Sequence, residues 1–452
     1  MSIPPRTAGN LYARSTLFGR AISAPAQQFI HTEGASGRLL LIAAVIALVW
    51  ANSPWSDVYE RIWGHEVTLN IGFINVQEDL RHWVNDGLMA IFFFLITLEV
   101  KREVTRGELS SRRKAALPLA AAFGGMFVSA GIYLLFNFGG EHPNGWGIPI
   151  ATDTAFALGA LALTARGAPT ALIALLLGTA VVDDVFAMLV IAIFYTESLD
   201  MTATAVAGGM FGAVLVAQWL GIRAMSAYLI IGFAMWLAVL TSGVHATIAG
   251  VLMGFLTPAR PHVDMRHLPE RARALLDVIE RVGDDRDPEA DRALGELEAL
   301  VYDTESPLER LEHQIHPWSG FVVLPLFALA NAGIALNMDA FGDALGSTVA
   351  LGIFFGLWIG KPLGIVLGAW LAVRLGWAAL PDAVNWNQII GIGVLSGIGF
   401  SVSIFITDLA FDGAVAEEAK LGILAATTLS ALTGVVVFRW GRRDGSSEVA
   451  AT

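Results

Sequence analysis

The chain has 452 residues, of which 55% are hydrophobic and only 15% charged, and its mean hydropathy is +0.62. A soluble domain carries about 25% charged residues, so this balance sets aside a large soluble core in favour of a polytopic membrane protein. The absence of cysteine excludes disulfides, thiolate metal centres and cysteine nucleophiles; a net charge of −12 without any basic stripe speaks against nucleic-acid binding.

The first 36 residues mix polar and apolar types with no long apolar run, and read as a cytoplasmic arm rather than a cleavable leader. A spanning helix needs about 20 mainly apolar residues. Twelve stretches qualify: 37–53, 82–100, 115–138, 147–164, 168–195, 202–221, 224–241, 243–257, 317–337, 347–373, 386–411 and 418–438. The seventh and eighth nearly touch, through "TSGVHAT". Between the first two, "HEVTLNIGFINVQ" (65–77) alternates apolar and polar residues around Gly72 and predicts a small outer β-hairpin. A lone hairpin is marginal in water, so a partner subunit is expected against it. Residues 258–315 form a polar insertion in which "ERARALLDVIERV" and "EADRALGELEALVYD" have helical spacing; a solvated pair of helices is expected there. The transmembrane parts are then 37–257 and 316–440, followed by a tail at 441–452.

Lysine and arginine set orientation. "KREVTRGELSSRRK" follows the second span, eight arginines follow the eighth, and Arg166, Arg223, Arg374, Arg439, Arg442 and Arg443 fall on the same side. The other side has Arg61, Arg81 and Lys420. Alternating spans place both termini in the cytoplasm.

Few ionisable residues lie deep in a predicted span: Asp153, Asp183, Asp184, Lys361 and, less deep, Asp86. Each Asp at a helix centre costs roughly 2.5 to 3.5 kcal/mol on an insertion scale, so such groups pair or line a wet cavity. Lys361, alone among apolar residues in "GLWIGKPLGIVLG", is the natural partner of one member of the Asp183–Asp184 doublet. Neighbours on a helix point about 100° apart, so the other member is left for a different task. A hard cation takes oxygen ligands, which Asp184, Asp183, nearby carbonyls and the Thr152–Asp153 segment can supply. Without the cation, the same carboxylates accept protons. Competition of cation and proton for one site is the physical core of an antiporter.

The backbone points to the same place. "IPIATDTAFALG" sets Pro149, Thr152, Asp153 and Thr154 inside one span; "GIGVLSGIGFSVSIF" sets Gly391, Gly393, Gly397 and Gly399 with Ser396, Ser401 and Ser403 in another. Both read as interrupted helices lining an ion site. They are the central spans of two groups of three, the spacing of an inverted repeat. Asp153 is expected to offset the two half-helix N-terminal ends, and Lys361 the two C-terminal ends. His245 in "SGVHATIAG" either caps or packs a helix or joins a pH response; His313 and His316 border a loop.

"ATDTAFALG", "VVDDVFAML", "LEVKRE", "SGVHATIAG", "LEHQIHPW", "LPLFALANAG", "IGKPLGI" and "GIGFSVSIF" together resemble the NhaA-type sodium/proton antiporters, collinearly over roughly residues 33 to 440. The resemblance implies an all-α polytopic fold of twelve transmembrane helices with inverted repeats, crossed interrupted helices, and a small β-hairpin. It implies electrogenic, pH-regulated exchange of Na+ or Li+ for H+ in a bacterial inner membrane, with no cofactor. Sodium binds at Asp184 with Asp183 beside it; Lys361 pairs with the first aspartate; Asp153 and Thr152 compensate charge. Glu99, Lys101, Arg102 and Glu103 belong to an inner pH-sensing cluster, Glu312, His313 and His316 to a second pH-linked stretch, and Asp86 matches a carboxylate of the second span. The hairpin is the implied homodimer contact.

Three departures stand out. The 260–314 segment is longer than the usual connection, the doublet is flanked as "VVDDVFAM", and Ser401 stands where threonine is expected. The residues bear on two other classes. An intramembrane aspartyl protease needs two facing carboxylates; adjacent residues on one helix do not suit that, Asp153 with one member of the doublet could, and Lys361 has no place in such a dyad. A sodium-coupled symporter of an organic anion needs a second substrate site, which the sequence does not show.

Overall fold

The computed structural model describes residues 35–71, 74–165, 168–196, 200–220, 222, 225–261, 268–282, 288–336, 338–381 and 384–449. The N-terminal arm and the Gly72 turn lie outside them. Six helices are long and apolar enough to cross a membrane: Leu80–Thr105, Arg112–Asn137, Thr170–Phe194, Met201–Trp219, Thr348–Arg374 and Gly413–Arg439. Three bent pairs raise the number to nine among the described residues if each is one span: Ala35–Ala51 with Ser56–Trp63, Pro143–Ile150 with Thr154–Thr164, and Trp386–Ser396 with Phe400–Ala410. Shorter apolar helices occupy Ala227–Leu240 and Thr247–Leu256. The protein is therefore a multi-pass, mainly helical membrane protein.

The expected hairpin is present. Strands Glu66–Ile71 and Ile74–Asp79 pair antiparallel, with Val67 opposite Glu78 and Leu69 opposite Val76. It extends two residues beyond the predicted end, to the point where the Asp79 carboxylate accepts the His82 amide and starts the next helix. The insertion contains the helices Leu268–Val282 and Pro288–Thr304, packed on each other. The turn between them lies outside the described residues.

The chain divides into two compact units. One comprises the chain up to Arg61, Ala116–Asp183 and Leu324–Thr452; the other comprises Ile62–Ala115 and Asp184–Val323. The division falls inside the doublet helix Thr170–Phe194, between Asp183 and Asp184.

In the first unit, the lysine helix Thr348–Arg374 crosses Arg112–Asn137 with backbone against backbone. A Cβ on Gly364 would stand 2.1 Å from the Gly124 carbonyl oxygen, one on Gly124 would stand 2.2 Å from that of Gly364, and one on Gly368 would stand 2.1 Å from that of Ala120. In lipid, helices gain little from hiding apolar surface from each other, so close contact through small residues carries the association. Around this crossing Leu117, Leu158, Leu172, Ile365 and Ile392 form one buried cluster. Gly364→Val is expected to yield no folded protein. Gly131→Ala, in the same partner helix with nothing within 4 Å of the new methyl, is expected to melt like the wild type. Size-exclusion profiles and thermal melts of the two variants check this; a monodisperse, stable Gly364→Val would refute the close crossing.

The second unit repeats the device. A Cβ on Gly250 would meet the Ala90 carbonyl oxygen at 2.1 Å, seating Thr247–Leu256 on Leu80–Thr105. Helix entries are capped in the ordinary way: Asp200 accepts from the Thr202 and Ala203 amides, and Ser306 with Glu309 forms a reciprocal capping box.

Candidate ion site

Two broken helices of the first unit create a polar centre. After Pro143–Ile150 the backbone runs extended through Ala151 (ψ 148°) and Asp153 (ψ 97°) before Thr154–Thr164 begins. In the other pair, Gly397, Ile398 and Gly399 separate Trp386–Ser396 from Phe400–Ala410. The two pairs bend by 42° and 41°. Each half packs against the opposite half of the other pair, and the breaks are stitched directly: the Asp153 amide donates to the Ile398 carbonyl at 2.7 Å, and Ser403 Oγ donates to the Ile148 carbonyl at 2.9 Å.

Asp153 sits at both N-terminal ends. Its Oδ1 accepts the Phe156 amide at 2.9 Å, capping its own half-helix. Its Oδ2 accepts the Ser401 amide at 3.0 Å and the Ser401 hydroxyl at 2.5 Å, capping the other. A carboxylate facing two helix N-termini is favoured by both dipoles, which is the arrangement expected of it. Ser401, the departure noted above, keeps this contact with a hydroxyl.

Lys361 is fully buried. Its Nζ stands 2.7 Å from Asp183 Oδ2, also fully buried, and donates to the Ile150 carbonyl. That bond is to the C-terminal end of Pro143–Ile150. At the other end the Ser396 carbonyl takes the Thr152 hydroxyl at 3.0 Å. That hydroxyl also lies 2.9 Å from Asp183 Oδ2. Lys361 thus bonds one freed C-terminal end, and the Thr152 hydroxyl bonds the other. Asp183 Oδ1 is buried without a hydrogen-bond partner among the described residues. Asp184, also buried, follows one position on.

Lys361 is aimed by a local distortion. The lysine helix contains a π turn, Gly356–Gly360, and the Lys361 amide bonds to Gly356 rather than to Leu357. Pro362, which has no amide hydrogen, sits just after it. Sequence reasoning missed this turn, although Pro362 in "GKPLG" signals it. A second π turn, Val84–Leu88, carries Asp86, whose carbonyl accepts the Trp236 indole at 3.0 Å.

The other predicted residues gather in the second unit. Arg102 pairs with Glu312 and lies 3.4 Å from Glu103, with the charge of Glu99 also facing it. Lys101 Nζ donates to the carbonyls of Phe255 and Thr257 at 2.5 and 2.6 Å, capping the C-terminal end of Thr247–Leu256. Arg106 pairs with Glu309, a contact the sequence did not reveal. His313, largely exposed, lies 3.0 Å from Glu305, and the charge of His316 faces Glu312. His245 bonds the Tyr195 carbonyl just past the end of the doublet helix.

Burial pushes the Glu312 carboxyl above its ordinary value of 4.5, against the opposing pull of Arg102 and the two histidines. Burial acts the same way on Glu309, but there hydrogen bonds from Ser306 and Arg106 prevail and hold the carboxyl below that value. A raised folded value means the fold prefers the protonated form. The Glu312 contribution to stability is therefore full below 4.5 and is lost as pH rises through the raised value. Melting temperature is expected to fall over that rise, and to fall less steeply in Glu312→Gln; equal slopes would assign the effect to another group.

The chain matches the profile of a family described as "Na+/H+ antiporter 1" over residues 27–438. It is 44% identical to Na(+)/H(+) antiporter NhaA 2 of Sorangium cellulosum, an alignment covering 96% of this chain and 93% of that one. It is 45% identical to Na(+)/H(+) antiporter NhaA of Oleidesulfovibrio alaskensis (92% and 94% covered) and 45% identical to that of Koribacter versatilis (94% and 93%). With a profile matching most of its length and relatives matching end to end, the chain belongs to the NhaA family of Na+/H+ antiporters.

Proposed function

We propose that this protein exports sodium or lithium in exchange for protons across a bacterial inner membrane, electrogenically and under pH control. The observation that carries the reading is the fully buried Asp183–Lys361 pair at the crossing of two broken helices, with Asp184 next on the same helix. Asp184 is the principal cation ligand and Asp183 its helper, with Thr152 adding a hydroxyl. Among the described residues no group of three His, Asp or Glu side chains is placed to hold a metal ion; carbonyl and hydroxyl oxygens complete the shell, as suits a hard monovalent cation. Asp153 and Lys361 stabilise the freed helix ends around it. A protease dyad gains no support, because both Asp153 oxygens serve as helix caps and Asp183 is bound to Lys361.

In this mechanism the proton-loaded site opens inward, releases its protons and takes sodium; the loaded site then opens outward and the exchange reverses. Twelve spans with inverted repeats and both termini inside provide the frame. Glu99, Lys101, Arg102, Glu103, Glu312, His313, His316, Asp86 and His245 tune the pH response. The hairpin mediates a homodimer, and the 258–315 insertion is a solvated element.

The test is made in everted vesicles with an acid-loaded lumen and a pH-sensitive dye. Dequenching on adding sodium or lithium, and not potassium, is the expected result. No cation-dependent proton movement at any pH would end the antiport reading. A response to potassium alone would keep the exchange and replace the substrate.

A further inference from the structure

Ser396, Thr427 and Ser430 are buried, and their hydroxyls make no hydrogen bond among the described residues. A serine or threonine in a membrane helix ordinarily satisfies its hydroxyl on the carbonyl four residues back. The neighbours on the same long helix do so: Thr428 donates to Leu424 at 2.8 Å and Thr433 to Leu429 at 2.6 Å. Thr427 and Ser430, one turn apart, do not.

Ser430 faces the second helix break. A Cβ on Gly397 would lie 2.6 Å from Ser430 Oγ and 2.6 Å from the Leu357 carbonyl oxygen. Both oxygens are thus close to one point, and close enough to each other for a single water to touch both. The Leu357 carbonyl belongs to the π turn of the lysine helix. The Lys361 amide, which an α-helix would give it, goes to Gly356, and the next position is Pro362. Ser396 immediately precedes Gly397. One turn along, Trp358 Nε1 reaches Thr433 Oγ1 at 3.3 Å, so the π turn and the long helix are in contact here.

We propose that Ser430 Oγ and the Leu357 carbonyl, beside the Gly397 break, form a binding site for an ordered water molecule. A buried hydroxyl left unpaired costs on the order of 1–3 kcal/mol, and buried waters typically bridge such groups with two to four contacts. The donor set suits water better than a cation. It pairs a hydroxyl with a carbonyl, and the Ser430 hydroxyl can donate as well as accept. A water partner also suits a break that has to change shape, since it can exchange contacts where a protein partner would hold one geometry. Its existence does not depend on which ion the protein carries.

The full chain in lipid nanodiscs, imaged by cryo-electron microscopy at a resolution that shows ordered water, tests this in sodium and in potassium buffer. A peak within hydrogen-bond distance of Ser430 Oγ and the Leu357 carbonyl is expected in both buffers and is expected to vanish in Ser430→Ala. Should that variant not fold, Ser430→Cys, whose thiol bonds weakly, is expected to weaken the peak. No peak in the wild type overturns the proposal. A peak seen only in sodium makes the site a cation site and overturns it equally, and a peak unchanged in the Ser430 variant overturns it too, since Ser430 is then not what holds the water.

Discussion

Asp184→Asn is expected to abolish sodium- and lithium-driven proton movement in everted vesicles while the protein still folds and melts close to the wild type. The variant leaves the neighbouring contacts in place. Asp183 keeps Lys361 at 2.7 Å and Thr152 at 2.9 Å, and Asp153 keeps both helix ends. What it removes is a charge. A unit charge about 4 Å from a monovalent cation contributes on the order of 4 kcal/mol at an effective dielectric constant near 20, about a thousandfold in affinity. The amide also takes no proton at working pH, so both halves of the exchange lose their shared group. Asp184→Glu, which keeps the charge on a longer stem, is expected to retain weak exchange. Wild-type dequenching by Asp184→Asn would remove the doublet from the cation path, and the Proposed function with it.

Much of this centre was legible because membrane burial makes charge expensive. Two adjacent aspartates and one lysine in apolar runs have few uses in lipid, and they were found together. The helix interruptions were legible for a related reason: Pro149 before a polar triplet, and four glycines within nine residues, cannot sustain continuous helix. The hairpin showed itself by alternation alone. What stayed hidden depends on helix phase and tertiary reach. Which aspartate takes Lys361 is set by the rotation of the doublet helix, and on residues alone the doublet offered two candidates. That the Thr152 hydroxyl bonds the Ser396 carbonyl depends on side-chain reach across a crossing, which the sequence does not show. Lys101 reads as a member of a charged cluster, yet in the fold it caps Thr247–Leu256, a helix more than 140 residues later in the chain. Long-range partners such as Arg106 and Glu309 carry no local signature.

Lys361→Gln is expected to produce the largest loss of stability of any single substitution among the charged residues of the ion site. Removing one partner of a buried ion pair typically costs about 3–5 kcal/mol, because the other charge remains without compensation. Among the described residues Asp183 has no second cationic partner: its Oδ1 makes no hydrogen bond there, and its Oδ2 would keep only the Thr152 hydroxyl. The Ile150 carbonyl loses its donor as well. The variant must then hold Asp183 charged and unpaired or bind a proton there, and either choice weakens the crossing. The double variant Lys361→Gln with Asp183→Asn removes the stranded charge and lets two amides bond each other. Its melting temperature is expected to recover most of the loss, and a double variant no more stable than Lys361→Gln would show that the pair is not what holds the breaks together. The same single variant, if enough of it folds, separates two routes for the transported protons. When Lys361 carries one of them, exchange by Lys361→Gln loses its response to membrane potential. When the doublet carries them all, exchange slows but stays electrogenic, and Lys361 is left with the structural task its geometry already displays.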